Sequence, residues 1–158
     1  PQKWWQKTAP GVRAGWQTTP FCDAASTGKW QPLPYLINVL THSSERYRRY
    51  LRYYADYPEL RLGGPTYHWL RESFVIGDEL IAKAGEIDVP LMVLEASEEK
   101  VVSNKELQAF CQSRQKAQIG REEKLPLIIE GAHHEILFEV DALRAMALNA
   151  ICDFFEQY

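Results

Sequence analysis

Two short stretches of this sequence hold the residue types of an acid–base pair. One is Glu95-Ala96-Ser97-Glu98-Glu99-Lys100, at the end of an apolar run; the other is Gly131-Ala132-His133-His134-Glu135, at the end of a second apolar run. An imidazole that moves a proton must offer one nitrogen to its partner and keep a proton on the other. A carboxylate beside it fixes that tautomer and stabilises the imidazolium that forms. The first stretch offers carboxylates and the second offers imidazoles, so the two together suit proton transfer to and from a nucleophile. The run His133-His134-Glu135 also has the composition of a metal-ligand set. Its adjacent side chains point in different directions, however, and the helical HExxH spacing is absent, so no metal site is expected there.

The elements around these stretches decide whether they can meet. Residues 89–96, VPLMVLEA, and 125–131, LPLIIEG, are short continuous apolar runs. Such runs read as strands buried on both faces, the usual state in a parallel sheet. Between them, Ser103 and Glu106 have capping-box spacing, followed by Leu107, Phe110, Cys111, Arg114 and Ala117 at helical spacing. Before them, Tyr47, Tyr50, Leu51 and Tyr54 line one face of a helix over residues 44–57, with Pro58 as its stop. Leu70, Phe74, Gly77 and Ile81 share a face of a second helix over 66–84. After them, Asp141 is placed to cap a last helix whose inner face is Leu143, Ala147, Ala150, Ile151 and Phe154. Helix, strand, helix, strand, helix is the alternation of an α/β sheet with parallel strands joined by crossovers. Ligands of open α/β sheets bind at the carboxyl ends of the strands, where both stretches fall.

Two strands make a marginal sheet. The expectation is therefore that the sheet continues in further sequence or in another chain, and Pro1 in place of an initiating methionine points the same way. The first stretch, to about Asn38, sets Trp4, Trp5, Trp16 and Trp30 among Pro10, Pro20, Pro32 and Pro34, a density of prolines that favours turns and short helices. The tryptophans and tyrosines of the first 60 residues are expected mostly to pack between elements, with a few facing a pocket.

The 158 residues are 46% hydrophobic and 25% charged, with a net charge of −3. That suits one globular unit and argues against a nucleic-acid partner, which usually draws a basic excess. Arg46, Arg48, Arg49, Arg52 and Arg61 are interleaved with Glu45, Asp56 and Glu59, so the local balance stays modest. No apolar run approaches the ~20 residues of a membrane helix. No charged-then-apolar leader opens the sequence. Cys22, Cys111 and Cys152 are odd in number and widely spaced, as in a reducing compartment without a disulfide framework.

VPLMVLEASEEKVV followed by IIEGAHHEILFE resembles the end of the monoglyceride-lipase-like branch of the α/β-hydrolases. LPYLINVLTHSSERYRRYLRYYADYPELRLGGPTYHWLRES resembles the cap region of bacterial inner-membrane lysophospholipases of the L-two type, and FEVDALRAMALNAICDFF their C-terminal helix. The likeness covers nearly all of the chain and is weakest in the first ~30 residues and in 112–124.

The resemblance implies an α/β fold, with a helical cap segment over residues 1–63 and the closing part of the hydrolase core over 64–158. It implies His134 as the catalytic histidine and Glu99, just before Lys100, as the triad acid, with Glu98 as the competing carboxylate. The family's G-x-S-x-G nucleophile elbow is absent: Ser26, Ser43, Ser44, Ser73, Ser97, Ser103 and Ser113 all lack the flanking glycines. The expected nucleophile and oxyanion loop therefore lie upstream, and the isolated chain is expected to be inactive and to self-associate or pair with the missing N-terminal half. The implied substrate is a lipid-like carboxylic ester, cleaved through an acyl-enzyme without any cofactor. The implied location is cytoplasmic, with peripheral contact to an anionic inner-membrane surface. A non-catalytic interaction module and a different esterase or peptidase of the same superfamily are the alternatives.

Overall fold

The computed structural model describes residues 30–63, 65–117 and 125–157. The expectations for Trp4, Trp5, Trp16 and Cys22 lie outside those residues. In chain order the described elements are α1 (Ser44–Asp56), α2 (Tyr67–Ala82), β1 (Leu94–Ala96), α3 (Asn104–Ala117), β2 (Leu127–Ile129) and α4 (Asp141–Glu156). Short 3-10 turns lie at Tyr35–Ile37, Pro58–Leu60, Ala84–Glu86 and Ile136–Phe138.

The helix starts follow from local chemistry. Ser43 Oγ accepts from the Arg46 N–H at the head of α1, and Thr66 Oγ1 accepts from the Trp69 N–H at the head of α2. Each satisfies one donor that a helix N-terminus leaves unpaired. Ser103 Oγ accepts from the Glu106 N–H before α3, the first half of the expected capping box. The cap expected of Asp141 is not formed. Val140 is the N-cap residue of α4 without a side-chain bond, and Asp141 opens the helix itself. Its carboxylate turns outward to Arg46, at 2.5 Å. An ionised guanidinium is the stronger donor, and a carboxylate in a helix's first turn is still favoured by the helix dipole.

The strands pair in parallel, in the register Leu94↔Leu127, Glu95↔Ile128 and Ala96↔Ile129. They are shorter than the apolar runs that contain them. Burial on both faces holds only in part: Ile129 is 1% exposed, whereas Leu127 and Ile128 are 36% and 41% exposed. Leu127 and Ile129 lie on one face of the strand, so cover is complete only at its carboxyl end, where Ile129 joins Ala132 and Ala147. Ala96, Ile129, Ala132 and Ala147 form the buried cluster, with Leu94, Ile136 and Leu143 against it. On α4 the expected inner face is kept, Ala147 fully buried and Leu143, Ala150, Ile151 and Phe154 partly so.

α3 packs against α2 and the turn at Ala84–Glu86. Cys111 and Arg114 are its most buried members. Arg114 is a fully buried cation whose guanidinium donates to the carbonyls of Ile87 at 2.6 Å and Val89 at 2.8 Å, tying the lead-in to β1 onto α3. Cys152, expected among apolar helical positions, is exposed.

Candidate active site

Both chemistry-bearing stretches leave the carboxyl ends of the paired strands, and backbone bonds join them. The Ser97 N–H donates to Ile129 O at 3.3 Å and the Glu98 N–H to Ala132 O at 3.0 Å. The Gly131 N–H donates to Ser97 Oγ at 2.7 Å. Gly131 has φ +78°, a left-handed conformation that glycine enters without a Cβ penalty. That turn reverses the chain straight after β2 and brings residues 132–134 back over the loop after β1.

This stitching places Glu99 against His134. The Nδ1–H of His134 donates to Glu99 Oε2 at 2.8 Å, and the other carboxylate oxygen accepts from the N–H groups of Val101 at 2.6 Å and Val102 at 3.1 Å. The Glu99 side chain is 6% exposed and that of His134 is 28% exposed. Burial pushes the Glu99 carboxyl upward, but the bonds from Val101, His134 and Val102 outweigh it and hold the carboxyl below its ordinary value. An ionised carboxylate on Nδ1–H leaves Nε2 as the lone-pair nitrogen of a neutral ring.

The other carboxylates of the first stretch go elsewhere. Glu95 lies within β1, buried, with Oε1 accepting from Gln108 Nε2 at 2.8 Å on the α3 side. Glu98 stands 3.3 Å from His133 Nε2 and 3.8 Å from His42 Nε2. Adjacent residues of the loop thus face different histidines, Glu99 facing His134 and Glu98 facing His133 and His42.

Two residues that the sequence did not single out frame the pair. Glu139 is fully buried and accepts from the N–H groups of His133 at 2.9 Å, His42 at 3.1 Å and Val140 at 3.0 Å, and from His42 Nδ1 at 2.9 Å. Burial raises its carboxyl, and the backbone bonds from His133, Val140 and His42 bring it below the ordinary range. Thr41 Oγ1 donates to Phe138 O at 2.7 Å, the Glu135 N–H to Leu40 O at 2.8 Å, and Arg46 to Glu139 O at 2.5 Å. The segment leading into α1 is therefore bound to the histidine loop along its length. Neither His42 nor Glu139 belongs to a spacing pattern; only their closeness across some 97 residues of sequence gives them away.

Beside this junction lies a cavity of about 180 Å³ lined by Leu40, Thr41, Tyr47, Tyr50, Glu135 and Phe138. Tyr47 and Tyr50 are thus aromatics that do face a pocket. Trp30 instead stacks on Tyr54 and lies under the Arg61 guanidinium. Burial and the neighbouring Tyr54 push the Tyr50 phenol up to about 12, so it lines the cavity as a neutral group.

A family model described as serine aminopeptidase, S33, matches residues 4–141. The chain is 49% identical to lysophospholipase L2 of Escherichia coli strain K12 over 154 residues, which is 98% of this chain and 43% of that protein. It is 29% identical to a probable lysophospholipase L2 of Haemophilus influenzae over 127 residues, 80% of this chain and 38% of that protein. The chain spans about two fifths of the length of these curated relatives.

Proposed function

This chain belongs to the serine aminopeptidase, S33, family of α/β-hydrolases, and from that premise we propose that it is the closing part of a serine hydrolase acting on carboxylic esters of lysophospholipid or monoacylglycerol type. The observation that carries the reading is the 2.8 Å bond from His134 to a buried, doubly clamped Glu99 at the ends of two parallel strands. In this mechanism a serine outside these residues attacks the ester carbonyl. His134 Nε2 takes its proton and returns it to the leaving alcohol, and water then releases the acyl group by the same route. Glu99 acts through His134 by holding its tautomer. Residues 1–63 serve as the cap and 64–158 as core; the bonds between residues 40–46 and residues 135–141 support a cap edge lying over the histidine.

The lysophospholipase names of the relatives support the substrate class. The cavity beside Tyr47 and Tyr50 has room for a short stretch of acyl chain, being smaller than the ~300 Å³ and upward of drug-sized pockets. Among the described residues no helix is long and apolar enough to cross a membrane. The test is labelling of the complete protein with a fluorophosphonate, read by intact mass, together with hydrolysis of lysophosphatidylcholine, a neutral monoacylglycerol and an aminoacyl amide. The reading expects one label, lost in His134→Ala, and turnover of the esters. Turnover of the amide alone would assign a peptidase instead. Absence of label and of turnover on all three would leave a non-catalytic module.

A further inference from the structure

Three side chains that the acid–histidine pair leaves unused converge beside it. His42 comes from the segment before α1, Glu98 from the loop after β1 and His133 from the loop after β2; one ligand atom from each lies within 4.8 Å of the other two. The two imidazole rings are 3.8 Å apart between centroids and inclined by 31°.

The hydrogen bond of His42 leaves a ring electron pair facing Glu98. The Nδ1–H of His42 donates to the buried Glu139 carboxylate, so a neutral His42 turns the lone pair of Nε2 toward Glu98. A lone-pair nitrogen and a carboxylate oxygen at 3.8 Å are too far apart for a hydrogen bond and repel unless a cation stands between them. Nδ1 of His133 is buried with no hydrogen-bond partner, so the polar outlet of that ring is Nε2, which also faces Glu98, at 3.3 Å. Ligand atoms around a tetrahedral ion with bonds of about 2.0–2.2 Å stand roughly 3.3–3.6 Å apart. Of the three separations, His133 Nε2 to Glu98 at 3.3 Å matches that spacing, His42 Nε2 to Glu98 at 3.8 Å closes to it by a small rotation of the half-exposed Glu98 side chain, and His42 to His133 lies within 4.8 Å. A carboxylate behind a ligating histidine is also the usual outer support of metal sites, since it orients the ring and raises its basicity.

We propose that His42 Nε2, His133 Nε2 and Glu98 form a binding site for a divalent transition-metal ion of the zinc class. Two imidazoles and one carboxylate suit zinc or cobalt and not calcium or magnesium, which take oxygen ligands. Three protein ligands leave a fourth position to solvent. The ion joins three segments at one point. Since Glu98 adjoins Glu99 and His133 adjoins His134, it braces both halves of the acid–histidine pair without replacing either. This inference stands apart from the proposed ester hydrolysis, because neither the ligands nor the test depend on turnover.

The test uses the intact protein, stripped with a chelator and titrated with Zn²⁺ by calorimetry and with Co²⁺ by visible absorption. The expected result is one equivalent of either ion, with the visible bands of a low-symmetry cobalt site. His42→Gln and Glu98→Gln change exposed side chains and should keep the fold, checked by circular dichroism. Each is expected to weaken binding at least tenfold, while His68→Gln, Cys152→Ser and His134→Gln leave it unchanged. Absence of stoichiometric binding would overturn the proposal. Equal affinity in the wild type, His42→Gln and Glu98→Gln would overturn it as well. Loss of binding in His134→Gln instead would move the ion to the acid–histidine pair and would likewise overturn the proposed site.

Discussion

Glu99→Gln is the substitution that weighs most on the proposed mechanism. Glutamine has the same length and nearly the same volume, so the loop can keep its shape. One carboxylate oxygen of Glu99 accepts from the N–H groups of Val101 and Val102, and only the carbonyl end of a glutamine can do so. The amide nitrogen is then forced to the position that accepts from His134 Nδ1 at 2.8 Å. There it donates, which drives the imidazole proton to Nε2 and turns the nitrogen that should receive the nucleophile's proton into a donor. The negative charge that would stabilise the imidazolium is lost at the same time. Wrong-tautomer replacements of this kind lower turnover by about 10⁴-fold, or about 5.4 kcal/mol at 1.36 kcal/mol per decade. The assay is kcat and KM of the complete protein on lysophosphatidylcholine, with thermal unfolding as the check on folding. The expected result is a fall in kcat of about 10³–10⁴-fold with KM nearly unchanged, and a smaller fall in Glu98→Gln, half-exposed and facing His133. A loss in Glu98→Gln that exceeds the loss in Glu99→Gln would refute the assignment. A Glu99→Gln variant within tenfold of the wild type would refute the tautomer argument itself.

Other expectations follow from particular contacts. Glu139 has its folded-state carboxyl pKa depressed, so its contribution is present above the unfolded value near 4.5 and is lost as pH falls through the lower folded value. Glu139→Gln should cost about 2–4 kcal/mol at pH 7 by denaturant unfolding, and the gap to the wild type should narrow on acidification below pH 4.5; a constant gap would contradict this. A Cβ on Gly85 would lie 2.3 Å from the Ala117 Cβ, so Gly85→Ala should destabilise by about 1–3 kcal/mol, and Ala117→Gly in the same chain should recover most of it in thermal melts. Arg46 and Arg61 are engaged with carbonyls and, for Arg46, with Asp141, whereas Arg48, Arg49 and Arg52 are exposed along α1. Their triple replacement by Gln should lower activity on lysophospholipid severalfold and leave a neutral monoacylglycerol ester untouched, as judged by paired kinetics; equal loss on both would dismiss a headgroup or membrane role.

The order of elements is legible in the sequence because periodicity records which face of each element is buried. The helix beginnings at Ser43, Thr66 and Ser103 can be read from residue type alone, since the cap uses a side chain and a backbone N–H three positions on. Asp141 departs from its expected cap because that preference competes with a cation, and Arg46 lies 95 residues away in sequence. β2 is less buried than its composition implies because an apolar run records a preference for cover and does not say which cover this chain provides.

The sequence by itself determined that a carboxylate loop and a histidine loop follow two parallel-type strands, and that an acid–histidine pair was the chemistry to look for. Tertiary structure alone decided which carboxylate meets which histidine. Glu98 and Glu99 are chemically the same group one residue apart, and so are the imidazoles of His133 and His134; neither composition nor spacing separates them. The turn at Gly131, the bonds joining the two loops and the buried Glu139 send Glu99 to His134 and Glu98 to His133 and His42. The physical reason is that a backbone turn sets the direction of each successive side chain, and that direction depends on hydrogen bonds to segments far away in the chain.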